Sequence, residues 1–253
     1  MGRWSRLVAH PLMDFINLPD EGQVLDVGSG TGSLSFAIAQ PKAKLRVVGI
    51  DPSREYVAYA NNRNPAPDRI SFETGDAQRL RFADATFRSS FSLLVFNFIP
   101  DPLIALKEMC RITVPGGLIS AAVWDYGGEM RMLRIFWDAA SSIDDRGGKL
   151  DECHMPLSRP GELSQLWKQG GLKDVREQPL NIEMRFESFE DYWQPFLLGQ
   201  GPAGAYARSL DAGPLERLSD ELKVRLPLSG EGSFVLPARA WAVRGRVPVS
   251  EQP

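Results

Sequence analysis

The apolar positions of this chain fall into two regimes. Up to about residue 126, short unbroken apolar runs alternate with stretches whose apolar residues recur every three to four positions. Val24 to Val27 is one such run, and Leu34, Ala37 and Ile38 follow it at helical spacing. "LRVVGID" (45–51) is a β-branched strand with an acid at its end; Ser53 caps the next helix, which turns Tyr56, Val57 and Ala60 inward. "ISFETGDA" (70–77) alternates and then turns. In "FRSSFSLLVFN" (87–97) a fourth strand is centred on residues 93–96. Asp101 caps a helix that opens with Pro102 and presents Leu103, Leu106 and Met109 or Cys110 on one face. "VPGG" (114–117) breaks that helix before a fifth strand, "LISAAVW" (118–124). Five strands joined by crossovers predict a parallel sheet with helices on both faces.

Beyond residue 126 the pattern loosens. Helical spacing places Met132, Ile135, Phe136 and Ala139 on one side of residues 129–143. A helix opens at Pro160 and closes at Gly170-Gly171, "VREQPLNIEMRF" (175–186) is strand-like, and 189–199 and 214–226 read as helices. Residues 232–247 alternate as a late strand, and the tail 248–253 is expected to be loose. No internal repeat is present.

A length of 253 residues with 43% hydrophobic content supports a sizeable core in one domain. Its expected parts are a core at 20–126, a less regular inserted stretch at 127–230, which the resemblance described below would put on the substrate side, and the late strand at 232–247. The net charge of -3 argues against tracking nucleic-acid phosphates, so no nucleic-acid partner is expected. The longest apolar run, 91–99, is too short to span a bilayer, and the N-terminus has no extended apolar segment of the secretory kind. A cytoplasmic protein is the expectation. Cys110 and Cys153 are too few for a disulfide framework and lack metal spacing, so no metal is expected. Cys110 reads as buried filler. Cys153 beside His154 reads as an ordinary loop or as a reactive pair.

The candidate chemistry begins after the first strand. Gly28, Gly30 and Gly32 form a strand–loop–helix with Asp26 ahead of them. Such a loop presents backbone N–H groups to an anionic or polar ligand. The dinucleotide pattern G-x-G-x-x-G is incomplete: from Gly28 its third position is Ser33, and from Gly30 it is Ser35. What stands instead, "DVGSGTG", resembles the first motif of the class I S-adenosylmethionine-dependent methyltransferases. "VVGIDPS", "FETGDAQRLRF" and the stretch from "LLVFNFIPDP" to "VPGGLISAAVW" resemble that family's later motifs, in order, over roughly residues 20–126. The nearest group in appearance includes the ubiquinone/menaquinone-biosynthesis enzymes.

The resemblance implies a Rossmann-like three-layer α/β sandwich, a mostly parallel seven-stranded sheet with a late antiparallel strand and a helical substrate-side insertion. It implies S-adenosyl-L-methionine as cofactor. Gly28, Ser29, Gly30 and Gly32 would pass close to its methionine and ribose. Asp26 would orient the methionine end, Asp51 would accept from the ribose hydroxyls, and Pro52 and Ser53 would flank the adenine. Asp76 and Ala77 would meet the adenine edge. Asn97 and Phe98, ending the fourth strand, would stand where the methionine end meets the substrate. Bland readings stay open beside these: Asp51 as a helix cap, Asp76 as a turn former, and Asn97 as a group satisfying backbone at a strand end.

Methyl transfer is an in-line displacement, aided by alignment in a dry site and by a base only when the nucleophile must lose a proton. His10, His154 and Tyr126 are the candidates for such a group, with Asp125 beside the last, and each also reads as structural. Trp4, Trp124, Tyr126, Phe136, Trp137, Tyr192 and Trp193 read either as lining of an apolar acceptor pocket or as core. The helix around Phe136 also suits a cap or a homodimer contact. "FNFIPDP" replaces the "NPPY"-type tetrapeptide of nucleic-acid and protein amino methylation, which by resemblance tilts toward a small-molecule acceptor. The alternatives are a non-catalytic module binding S-adenosylmethionine or S-adenosylhomocysteine, and an NAD-dependent dehydrogenase.

Overall fold

The computed structural model describes residues 2–229 and 232–249. The element order is α1 (Gly2–Phe15), β1 (Glu21–Val27), α2 (Ser33–Ala39), β2 (Lys44–Asp51), α3 (Arg54–Asn62), β3 (Ile70–Thr74), β4 (Phe87–Leu93), α4 (Pro102–Ile112), β5 (Thr113–Trp124), α5 (Arg131–Ile143), α6 (Asp145–Leu150), α7 (Glu162–Gln169), β6 (Lys173–Phe186), α8 (Phe189–Leu197), α9 (Gly201–Arg208), α10 (Ala212–Arg225) and β7 (Phe234–Arg246). The strands form one seven-stranded sheet in the order β3-β2-β1-β4-β5-β7-β6. The first five run parallel. β7 runs against β5: the Gly116 N–H donates to the Val247 carbonyl, and the Val247 N–H donates to the Gly117 carbonyl. The three-layer sandwich and its late antiparallel strand are as expected. Among the described residues no helix is long and apolar enough to cross a membrane.

Contacts divide the chain into two compact units. One comprises Gly2–Val123, Arg159–Leu180 and the chain from Ala240; the other comprises Trp124–Ser158 and Asn181–Arg239. In the first, the parallel strands are apolar on both faces, as a doubly covered sheet requires: Val24, Leu25, Val27, Leu45, Val47 and Ile50 are all buried. The N-terminal helix α1, which carries Pro11 inside it, buries Val8, Ala9 and Leu12 and belongs to this unit. Its end is held by Arg244, whose guanidinium donates to the Phe15 carbonyl and lies 4.8 Å from the Phe15 ring.

Two expectations about the middle of the chain need correction. The fourth strand is not centred on 93–96. It ends at Leu93; Leu94 takes a positive φ of 63°, and Phe96–Phe98 form a 3-10 turn. The apolar run continues past the strand because Phe96 is core in its own right, fully buried with its ring 5.0 Å from that of Trp167 on α7. Asn97 and Phe98 therefore sit in a turn after the strand rather than at its end. Nor does the fifth strand begin at Leu118. α4 stops at Ile112 and "VPGG" lies within β5, where four residues are accommodated as an irregularity: Phe87 pairs with Thr113 but Ser89 pairs with Leu118.

The second unit is built on rings. Phe136 stacks on Phe196 at 4.4 Å and meets Trp137 and Tyr206 edge-on. Phe186 stacks on Phe234 at 5.0 Å, and the Tyr192 hydroxyl donates to the Met132 carbonyl at 2.9 Å. Burial drives the phenol of Tyr192 far above its ordinary pKa. Arg134 is held by the Asp151 carboxylate, and the Trp137 indole donates to the buried Glu152.

Candidate active site

Because β2, β1 and β4 are neighbours and parallel, the loops after them open on one edge of the sheet. This edge carries Asp26–Gly32, Asp51–Ser53 and the Asn97 turn, all within the first unit. Gly28 and Gly30 have positive φ, 72° and 51°. A Cβ at Gly28 would lie 2.5 Å from the Val95 methyls, so only glycine lets the first loop touch the segment leading to Asn97. A Cβ at Gly30 would meet nothing within 4 Å; there the backbone faces open space.

Asp51 is buried, and its carboxylate knits the loops together. One oxygen accepts from the Gly30 N–H and the other from the Ser53 N–H, each at 2.9 Å. Two acceptor lone pairs remain for a ligand. Ser53 itself accepts from the Tyr56 N–H and caps α3, as expected. Pro52 is exposed. Asp26 is buried deeper. Its Oδ2 accepts from the Ser35 hydroxyl at 2.6 Å, while Oδ1 has no partner among the described residues. With no cation beside it, burial pushes this carboxyl from 3.8 up to about 7.

The same accounting marks Ser29 and Asn97. The Ser29 hydroxyl and both polar atoms of the Asn97 amide are buried without a partner. The reading of Asn97 as a group that satisfies neighbouring backbone therefore fails. Phe98 beside it is exposed. Asp76 is exposed, and its Oδ1 accepts from the Gln78 N–H at 2.9 Å, so it does form the turn in "TGDA". That segment is pinned from α4. Glu108 accepts from the Leu80 N–H, and Arg111 donates to the carbonyls of Leu80 and Phe82. Ala77 is half-buried next to Asp76.

The candidate bases are scattered. His10 is exposed on α1 and lines a cleft against α2. His154 is exposed in the second unit. Its neighbour Cys153 is kept a thiol, because burial and the adjacent Asp151 raise its pKa. Cys110 is half-buried, and burial pushes its thiol up to about 11. Tyr126 is buried in the second unit, and Asp125 is committed to an ion pair with Arg239 at 2.6 Å. The aromatic residues that sequence leaves between pocket lining and core are core: Trp124, Phe136, Trp137, Tyr192 and Trp193 are buried in the second unit, and Trp4 is buried in the first. Among the described residues no three His, Cys, Asp or Glu side chains gather as a metal site.

Three supporting residues escape a reading of sequence alone. Ser35 holds Asp26, Val95 fills the space beside Gly28, and Trp167 braces the turn that carries Asn97. Ser35 leaves one trace, a polar residue among the apolar positions of a short helix. Trp167 lies 70 residues away from Asn97 in the chain and leaves none.

Residues 25–121 match the family model of a methyltransferase domain. The ordered motifs and the fold are similar to those of the class I S-adenosylmethionine-dependent methyltransferases. The curated proteins it is similar to include demethylmenaquinone and ubiquinone/menaquinone-biosynthesis methyltransferases. It is 31% identical over 121 residues to a 2-methyl-6-phytyl-1,4-hydroquinone methyltransferase of Synechocystis, covering 48% of this chain and 38% of that one. It is 26% identical over 179 residues to a demethylmenaquinone methyltransferase of Bacillus licheniformis, covering 66% and 77%. In three further curated relatives, two of them demethylmenaquinone methyltransferases, the chain spans about half their length. Among solved structures, a phosphoethanolamine N-methyltransferase of Haemonchus contortus in complex with S-adenosyl-L-methionine shares the fold. Its TM-score is 0.61 at 15% identity, over 96% of this chain and 52% of that one.

Proposed function

We propose that this protein binds S-adenosyl-L-methionine and transfers its methyl group to a small organic acceptor. The observation that carries the reading is the set of buried, unpartnered polar atoms on Asp26, Ser29 and Asn97. Such groups are costly to leave unmade, and they border the loop whose glycine at position 30 faces open space. The cofactor's chemistry suits them. A buried, uncompensated carboxylate at Asp26 favours a cationic ligand, and the cofactor carries an ammonium and a sulfonium. Asp51 would accept from the ribose diol with its free lone pairs, Pro52 and Ser53 would flank the adenine, and Asp76 and Ala77 would meet its edge. The bound group supplies an electrophilic methyl on a neutral leaving group. The chain's own part is to bind, orient and exclude water, which supplies much of the acceleration in displacements of this kind. The names of the curated relatives point to a hydroquinone-type ring as the acceptor class. A cytoplasmic location is part of the same proposal.

Calorimetry tests the first part. Micromolar binding of S-adenosylhomocysteine without NAD binding is expected; NAD binding with no response to either sulfur ligand would overturn the reading. Asp51→Ala is expected to weaken the sulfur ligands by about 1–3 kcal/mol, roughly 5- to 150-fold, through lost and partly buried hydrogen bonds. Unchanged affinity in a folded variant would remove Asp51 from the ribose. Labelled-methyl transfer to a soluble demethylated naphthohydroquinone tests the second part. Binding without transfer to this acceptor or to a broad metabolite extract would favour a non-catalytic module.

A further inference from the structure

We propose a second ligand site in the first unit, an anion site between α1, α2 and the end of α3 that takes a phosphate-bearing molecule. Two adjoining clefts lie here, each of about 460 Å³, and Arg6, Ser33, Phe36 and Pro65 line both. Arg3 and Arg63 join Arg6 around one; His10 and Arg69 join it around the other. Among the described residues, no Asp or Glu lines either cleft. This is unusual company in a chain with 32 acidic and 29 basic residues, where the acids outnumber the bases.

Arg63 and Arg69 are held at their edges by neutral groups. The Arg63 guanidinium donates to the Tyr59 hydroxyl at 2.6 Å. Arg69 donates to the carbonyls of Ala39 and Lys42. Arg6 makes no hydrogen bond or ion pair with any described residue. Guanidinium groups gathered around one cleft repel one another until an anion offsets them, and their planar forks match phosphate oxygens in bidentate fashion. The volume suits a small molecule rather than a lone ion. Phe36, shared by the two clefts, and Tyr59 offer an apolar wall to the organic part of a phosphate ester.

Thr31 of the glycine loop also lines one cleft, so the site adjoins the cofactor loops and differs from them in charge: the buried acids there are Asp26 and Asp51, whereas the clefts are lined by arginines. The inference does not require methyl transfer, and the titration with S-adenosylhomocysteine below separates it from the cofactor site. It also gives His10, whose type alone suggested a base, a place on the wall of the anion site.

The test uses inorganic pyrophosphate as the soluble probe and vesicles of phosphatidylglycerol, against phosphatidylcholine, as the headgroup probe. Titrations are run on the whole protein with and without saturating S-adenosylhomocysteine. Saturable pyrophosphate binding, weakened roughly tenfold or more by Arg6→Ala and again by adding Arg63→Ala, is expected, with no effect of S-adenosylhomocysteine. Both arginines are exposed, so the variants should keep the wild-type near-UV circular dichroism. Selective binding to phosphatidylglycerol vesicles, lost in the same variants, would support the site and assign its phosphate to a lipid headgroup. Absence of both kinds of binding would overturn the proposal. So would binding that survives the double variant, or binding that S-adenosylhomocysteine displaces, which would place the cleft within the cofactor site.

Discussion

Asp26→Asn is expected to make the ligand-free protein more stable at pH 8 while abolishing tight cofactor binding. The folded carboxyl titrates near 7 and an unfolded one near 4, because burial without a cation disfavours the charge. Between those values the folded chain holds a proton that the unfolded chain has released, so the wild type loses stability as pH rises from about 4 to about 7. Above 7 both states are ionised and the penalty is constant. Three pKa units at about 1.4 kcal/mol each set its ceiling at about 4 kcal/mol. The asparagine variant keeps an oxygen to accept from the Ser35 hydroxyl and carries no charge. Its advantage over wild type should grow by roughly 2–3 kcal/mol between pH 5 and pH 8. Comparing the two proteins at each pH cancels the opposite contributions of Glu108 and Asp151, whose partners lower their pKa. Denaturant melts across this range check the prediction. A difference that stays flat with pH would mean that Asp26 is not a buried, isolated carboxylate. A stability gain coupled to loss of ligand is the trade expected of a group kept for binding.

Phe136→Ala is expected to cost about 3–5 kcal/mol, the range for removing a fully enclosed aromatic ring. The ring touches Phe196, Trp137, Tyr206 and Trp193, so its loss leaves a cavity that no single neighbour can fill. The change should appear in the denaturation midpoint and in the near-ultraviolet circular dichroism of the surrounding tryptophans. A loss below about 1 kcal/mol would restore this residue to the lining of an acceptor pocket.

Much of the parallel half of the fold is legible in sequence because β1 and β2 are largely buried apolar runs ended by Gly28 and Asp51. Asp101 and Ser53 cap the helices that their side chains announce. Where the reading goes astray, hydrophobicity and backbone part company. Residues 93–96 stay apolar while Leu94 leaves the strand, since burial of Phe96 is achieved from a turn as well as from a sheet. α1 carries no clean capping signal and holds Pro11 inside, so its periodicity is obscured. The aromatic residues are ambiguous for a related reason: a pocket lining and a core use the same side chains, and only packing separates them. The candidate site divides in the same way. Glycine spacing and the acid at 51 are visible as letters. That Asn97 and one oxygen of Asp26 lack partners is a matter of hydrogen-bond accounting and exists only in three dimensions.

The contact between Gly28 and Val95 constrains how this site could be redesigned. The space that a side chain at position 28 would need is already taken by the Val95 methyls. Each position is thus the other's template, and neither can enlarge alone. A lineage that drifts toward a new acceptor can rewrite the exposed Phe98 freely. It can alter the bend ahead of Asn97 only by moving the glycine loop as well. The two stretches, 67 residues apart in the chain, are sterically coupled and must change together.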